Sequence, residues 1–210
     1  MVDFPISVGC RFLPTDKELV SYYLSNKLFM THTETEQPFN DLEKALVKEC
    51  DLYGSVEPWE VWNLYGGDHM ENGQALYFFV RLKKVSVNGS RICRRVGSGT
   101  WAGEDSGDRI MAAGNVVGFK KRFRYENHGS PYDGDWVMHE FAIDSSLLRQ
   151  HQKPDNIVLC RMKRNLLSKK NKFKQYCINS EPSKHSKIAV QQDIQVFESK
   201  EELVGYKIDV

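Results

Sequence analysis

Between Ala75 and Met162 the chain reads as a series of short apolar and aromatic segments separated by turn-forming clusters, and this texture limits the fold more than any other feature. Leu76 to Val80 is one compact run, and Asn115 to Phe119, Arg122 to Tyr125, Trp136 to Ile143 and Ile157 to Met162 follow it. Asn88-Gly89 is a hairpin-turn signal, and Asn127-His128-Gly129-Ser130-Pro131 is a cluster of residues that end strands. Upstream, Thr15 and Glu18 have the spacing of a capping box directly before Leu19, Val20, Tyr23 and Leu24, which predicts a helix with one apolar face. A second helix is predicted over Asp41 to Lys48, with Leu42, Ala45 and Leu46 on one side. The sum is an α+β arrangement, an antiparallel sheet with helices at one end.

The net charge is only +1, so the molecule as a whole has no excess that calls for nucleic acid. Its distribution is uneven: residues 1–70 carry 5 Lys/Arg against 12 Asp/Glu, whereas residues 71–130 carry 11 against 5. A basic middle suggests an anionic partner. The five cysteines, Cys10, Cys50, Cys93, Cys160 and Cys177, are odd in number and lack a CxxC pair, and so read as reduced thiols in an intracellular protein. Neither a leader-like start nor a run of about 18 apolar residues is present, which points away from secretion and membrane insertion. His139-Glu140 lacks the second histidine of a zinc helix, and no P-loop, GxGxxG or GxSxG motif occurs. No catalytic residue, metal or cofactor is therefore expected. After Met162, Lys163, Arg164, Lys169, Lys170, Lys172 and Lys174 crowd together without an acid. The chain accordingly divides into a domain, 1–165, and a basic linker and tail, 166–210, expected to be poorly ordered apart from a short element over Ile194 to Val204.

The segment Gly9-Cys10-Arg11-Phe12-Leu13-Pro14-Thr15-Asp16-Lys17-Glu18-Leu19-Val20 resembles the opening block of plant NAC domains, usually G-F-R-F-x-P-T-D-E-E-L. Further blocks follow in the family's order: Asp51-Leu52-Tyr53 through Glu57-Pro58-Trp59, Tyr77-Phe78-Phe79, Asn88-Gly89-Ser90-Arg91 leading to Gly97-Ser98-Gly99-Thr100-Trp101, Val117-Gly118-Phe119-Lys120-Lys121, Asp135-Trp136-Val137-Met138-His139-Glu140-Phe141 and Val158-Leu159-Cys160-Arg161. The resemblance implies a twisted antiparallel sheet packed between helices and a nuclear, dimeric, sequence-specific DNA-binding transcriptional regulator. It also implies that a sheet edge enters the major groove of double-stranded DNA, and that the partner subunit is a second copy or another NAC-type protein.

By the same resemblance, Arg11 and Glu18 occupy the positions of an intersubunit ion pair, with Phe12 and Pro14 in the same contact. Glu18 has a second, local reading as the capping-box carboxylate. Arg91 and Arg94 match positions that touch DNA in the family, and Lys84, Trp101, Arg109, Lys120 and Lys121 complete the expected DNA-binding set. Arg95 should point opposite to Arg94 on a strand, leaving one of the two for DNA. Lys120, Lys121, Arg122 and Arg124 are open to two readings, phosphate positioning or nuclear import. Trp101, with Trp59, Trp62 and Trp136, also reads economically as core. The departure comes after Trp101, where the family's W-K-A-T-G-x-D-K becomes Trp101-Ala102-Gly103-Glu104-Asp105-Ser106-Gly107-Asp108-Arg109. A lysine is lost and two acids arrive, which sets up a rival reading: a NAC-like partner that dimerises, binds DNA weakly and sequesters other family members.

Overall fold

A computed structural model describes residues 11–29, 39–71, 73–148 and 156–165. The expectations for the tail beyond 165, and most of the Lys163 to Lys174 cluster, lie outside these residues. The first helix begins where the capping box sets it. Thr15 Oγ1 accepts from the Glu18 amide while the Glu18 carboxylate accepts from the Thr15 amide and hydroxyl, each at 2.8 Å. This helix, α1 (Asp16–Glu18), runs on through a π-helical stretch, Leu19–Leu24, into α2 (Ser25–Phe29). Leu19, Val20, Leu24 and Leu28 are buried along it, as the apolar spacing requires.

A second capping box, Asn40 with Glu43, starts α3 (Asp41–Leu46). This helix stops two residues short of the expected end, and its Leu42 is exposed. Val47 instead opens β1 (Val47–Glu49), which pairs in parallel with β2 (Leu76–Arg81). The free edge of β2 offers unpaired amides and carbonyls, and a β-branched residue arriving beside it satisfies them better as strand than as helix. The sheet is thus mixed, with this one parallel pair. Pro58 sits at the first position of α4 (Pro58–Leu64), where its missing N–H costs nothing.

The remaining strands are β3 (Arg95–Val96), β4 (Gly99–Gly103), β5 (Asp108–Ala112), β6 (Asn115–Glu126), β7 (Trp136–Ile143) and β8 (Ile157–Arg164). They are ordered β1-β2-β8-β7-β6-β4-β3, with β5 also on β6. The two short segments expected at Asn115 to Phe119 and Arg122 to Tyr125 are one strand. Lys120 and Lys121, which break the apolar pattern, are held in it because β7 pairs with β6 from Gly118 to Arg124. The Asn88-Gly89 signal falls in a loop closed by Val85 N–H to Arg91 O (2.9 Å) and Cys93 N–H to Lys83 O (2.7 Å). Its turn spans Ser86 to Gly89, Gly89 N–H donating to Ser86 O at 3.2 Å, so the Asn-Gly pair ends the turn and is not its centre.

Strand alternation divides the core into two clusters. Leu76, Phe78 and Val80 share one face with Trp101, Phe123, Tyr125, Trp136, Met138, Val158, Cys160 and Met162, under α4 and the Leu52-Tyr53 loop. Tyr77, Phe79, Phe141 and Leu159 share the other with Ile110, under the α1–α2 run and Phe39. Because both faces of β2 are covered, its five residues from Leu76 to Val80 are all buried, and it reads as an unbroken apolar run. Gly118 lets the helical run lie close, since a Cβ there would stand 2.4 Å from Ala142 O and 2.9 Å from Val20 Cγ1.

Candidate nucleic-acid interface

On β7, Glu140 follows Trp136 and Met138 at period two, which places its carboxylate on the apolar face beneath α4. It is 5% exposed and is the one buried charge among the described residues. A carboxylate there must be neutralised. Arg94 does so: its Nη1 meets Glu140 Oε2 and the Tyr53 hydroxyl, and its Nη2 donates to Glu140 Oε1 at 3.0 Å. Tyr53 Oη donates to Glu140 Oε2 at 2.5 Å. The guanidinium also lies over the Phe123 ring, 4.4 Å from its centroid. Burial works against the arginine's charge, but its hydrogen bonds to Glu140 together with the electrostatic attraction of Tyr53, Glu140 and Cys160 more than offset this, so its proton is held more tightly than usual. Burial pushes the Tyr53 phenol and the neighbouring Cys160 thiol well above their ordinary ranges.

Arg94, expected at the DNA, is thus a structural cation committed to the interior. Trp101 is likewise core. It is 2% exposed, and its Nε1 donates to Leu52 O at 3.0 Å. Lys120 turns to the helical face and pairs with Asp16 at 2.9 Å and Asp108 at 3.7 Å. The structure brings Lys84 and Arg91 together on opposite sides of the 83–93 loop, both exposed, and Arg95 leaves β3 on the side away from Arg94. None of these three is engaged by a carboxylate among the described residues. Arg109 and Lys121 are exposed on the common face of β5 and β6.

The altered segment after Trp101 is tied to β6. Glu104 N–H donates to Arg122 O at 3.0 Å, and Arg122 N–H donates to Asp105 Oδ1 at 3.1 Å. The Glu104 carboxylate meets Arg122 Nε at 2.8 Å and Arg124 Nε at 3.5 Å. Ala102 is the register partner of Arg124. Sequence reading found the acids and the basic stretch but not their pairing, and it took Glu140 only beside His139 and Tyr53 only within a family block, missing the buried cluster they form. The available signal was Glu140 in phase with Trp136 and Met138. His139, its neighbour, faces the opposite side and is held neutral, its pKa lowered to about 4 by burial and by Arg161, Lys163, Lys120 and Arg122.

At the N-terminal block, Arg11 pairs with Glu71 at 2.6 Å within the chain, and both are exposed. Phe12 is half-buried, edge-on to Tyr23 (5.6 Å) and Tyr77 (4.9 Å). Pro14 is half-buried, and Leu13 is exposed. Glu18 serves the helix cap through Oε2 alone, a bond set that lowers its pKa through the Thr15 amide and then the Thr15 hydroxyl.

The family model described as No apical meristem (NAM) protein matches residues 7–143. This chain belongs to the NAC family. It is 33% identical over 142 residues to NAC domain-containing protein 101 of Arabidopsis thaliana, covering 67% of this chain and 38% of that protein. It is 29% identical over 177 residues to NAC domain-containing protein 7 of Arabidopsis thaliana, covering 83% and 41%. Against NAC domain-containing protein 54 of Oryza sativa subsp. japonica it is 32% identical over 146 residues, covering 67% and 20%. The chain therefore spans less than half the length of these NAC relatives. The matched range ends before β8, although β8 lies in the middle of the sheet between β2 and β7. No described helix is long and apolar enough to cross a membrane.

Two outcomes follow for this site. Arg94→Ala should lower stability by about 3–5 kcal/mol because it strands the Glu140 charge, while Arg94→Met with Glu140→Met should cost less than either single change. Chemical denaturation of Arg94→Ala, of the double variant and of its two single changes checks this, and an Arg94→Ala protein as stable as wild type would remove the structural assignment. The second concerns His139. Its folded pKa of about 4 lies below its ordinary 6.5, so the unfolded chain binds the proton more readily. Its contribution is constant above pH 6.5 and is lost as the pH falls from 6.5 towards 4. Wild type should lose stability over that window relative to His139→Gln, measured by thermal melting at several pH values.

Proposed function

We propose that this chain is a nuclear, DNA-binding transcriptional regulator of the NAC type that works as a dimer, and not an enzyme. The reading rests on one observation: a family match over residues 7–143 coincides with the 83–93 loop and the adjoining edge strand β3, where Lys84, Arg91 and Arg95 are exposed without a carboxylate partner among the described residues. Cations free of internal pairs are available to phosphates without first giving up a carboxylate, and a two-stranded edge fits the major groove. Arg109 and Lys121 extend the basic surface. Arg11, Phe12, Pro14 and Glu18 form the dimer contact. The cap uses Oε2 of Glu18 and leaves Oε1 for the partner's arginine, so capping and pairing are compatible. Such a pair fixes register more than it adds affinity.

A second reading, a dimerising partner that sequesters other NAC proteins, is favoured by Ala102 and by the engagement of Arg122 and Arg124 with Glu104. Selection from a random-sequence duplex pool separates the two. Enrichment of a shared site, with Arg91→Ala weakening binding to it by roughly tenfold or more, supports the regulator. A stable dimer that enriches nothing supports the sequestering partner. For the dimer, Arg11→Glu and Glu18→Arg should each weaken self-association in sedimentation, Glu18→Arg also loosening the helix start, and the double exchange should partly restore it. A monomeric wild type at tens of micromolar would refute the pairing.

A further inference from the structure

The face of the sheet that carries the α1–α2 run is covered by it only in part. Beyond the run, the register aligns two rows of side chains across β6, β7 and β8: Arg122, His139 and Arg161, and beside them Arg124, Val137 and Lys163. Val137 is 2% exposed although it belongs to neither apolar cluster. Its register neighbours are Arg124 and Lys163, whose long aliphatic stems are of the kind that cover an apolar side chain while the charged end stays in water. Arg161 is matched by Asp16 at 3.2 Å, and Arg124 by Glu126 at 3.0 Å as well as by Glu104. Lys163 has no carboxylate partner among the described residues. Burial and then the charges of Arg161 and Arg122 make its proton easier to lose, which reflects an excess of cations on this face.

Glu104, like Asp16 with Lys120 and Arg161, is a carboxylate shared between two cations. It serves two arginines at once, from a segment pinned to β6 by the Glu104 amide and by the Asp105 carboxylate. Arg122 and Arg124 remain 45% exposed, so the contact is half in water, where an ion pair is weak and a competing anion displaces it. We propose that this face is a second phosphate-binding surface for duplex DNA and that Glu104 holds Arg122 and Arg124 in reserve, giving way when a backbone phosphate arrives. The proposal rests on the DNA-binding reading above and adds to it a surface separate from the Lys84, Arg91 and Arg95 edge. Its consequence is that the acidic segment sets affinity by internal competition, without touching a base.

The test is fluorescence anisotropy of the full chain with a labelled random-sequence duplex at two salt concentrations fourfold apart. Glu104→Gln should bind more tightly than wild type and steepen the salt dependence by about 0.9 in slope for one phosphate gained, or about 3.5-fold over that salt range. Arg122→Gln with Arg124→Gln should bind less tightly and abolish the gain from Glu104→Gln in the triple variant. Lys163→Gln should also weaken binding and flatten the slope, an independent readout if the double variant folds poorly, with thermal melting as the folding control. A gain that survives in the triple variant would mean that Glu104 merely repels DNA, and the reserve is refuted. If Glu104→Gln binds as wild type does while Arg91→Ala weakens binding, this proposal falls and the DNA-binding reading stands. If no variant and no wild type binds the duplex, both fall.

Discussion

A carboxylate in the middle of an apolar face has to be met by a cation, and the site of that meeting organises one whole end of the sheet. Glu140 draws Arg94 inward from the segment before β3 and Tyr53 from the loop after β1. With Arg94 fixed, its carbonyl accepts from the Trp101 amide at 2.8 Å and from Thr100 Oγ1 at 3.0 Å, which sets the start of β4. Trp101 then bonds back to Leu52 O, one residue from Tyr53. Strand alternation does the rest: if Arg94 points in, Arg95 points out. The cations available to a partner on this edge are therefore decided by a buried charge on a strand elsewhere in the sheet.

The same alternation gives His139 and Glu140 opposite fates one residue apart. Glu140 sits under α4 among apolar residues and keeps its charge through Arg94. His139 faces the cationic side, where burial and four basic neighbours hold it neutral. Adjacent titratable residues on a strand do not share an environment. A motif-level reading of the pair as one chemical unit, for metal or acid–base work, fails on that geometry.

Acidic residues near a nucleic-acid surface are usually taken as repulsive. Here Glu104 and Asp105 have a local account: the amide and carboxylate contacts to Arg122 extend the pairing of β4 with β6 past Gly103, and the carboxylate of Glu104 neutralises two arginines on the next strand. The N-terminal block shows a comparable economy, since one oxygen of Glu18 closes the helix start while Arg11 is satisfied within the chain by Glu71. Surface ion pairs of this kind contribute little to stability, about 0–1 kcal/mol, and are correspondingly easy to exchange for an intermolecular partner.

Read alone, the sequence settled the capped start at Thr15, the strands Leu76 to Val80 and Trp136 to Ile143, the mixed α and β character and, through an ordered set of blocks, the family. These are local or pattern-level properties: a capping box needs four residues, and a strand buried on both faces is an apolar run wherever it pairs. It did not settle which arginine of the Arg94-Arg95 pair faces solvent, that Trp101 is interior, that Val47 leaves helix for a parallel edge strand, or that Glu104 reaches Arg122 and Arg124. Each depends on a partner distant in sequence, Glu140 for Arg94, Leu52 for Trp101, Tyr77 for Val47 and β6 for Glu104. Only strand register brings such partners within reach, and register is a property of the assembled sheet.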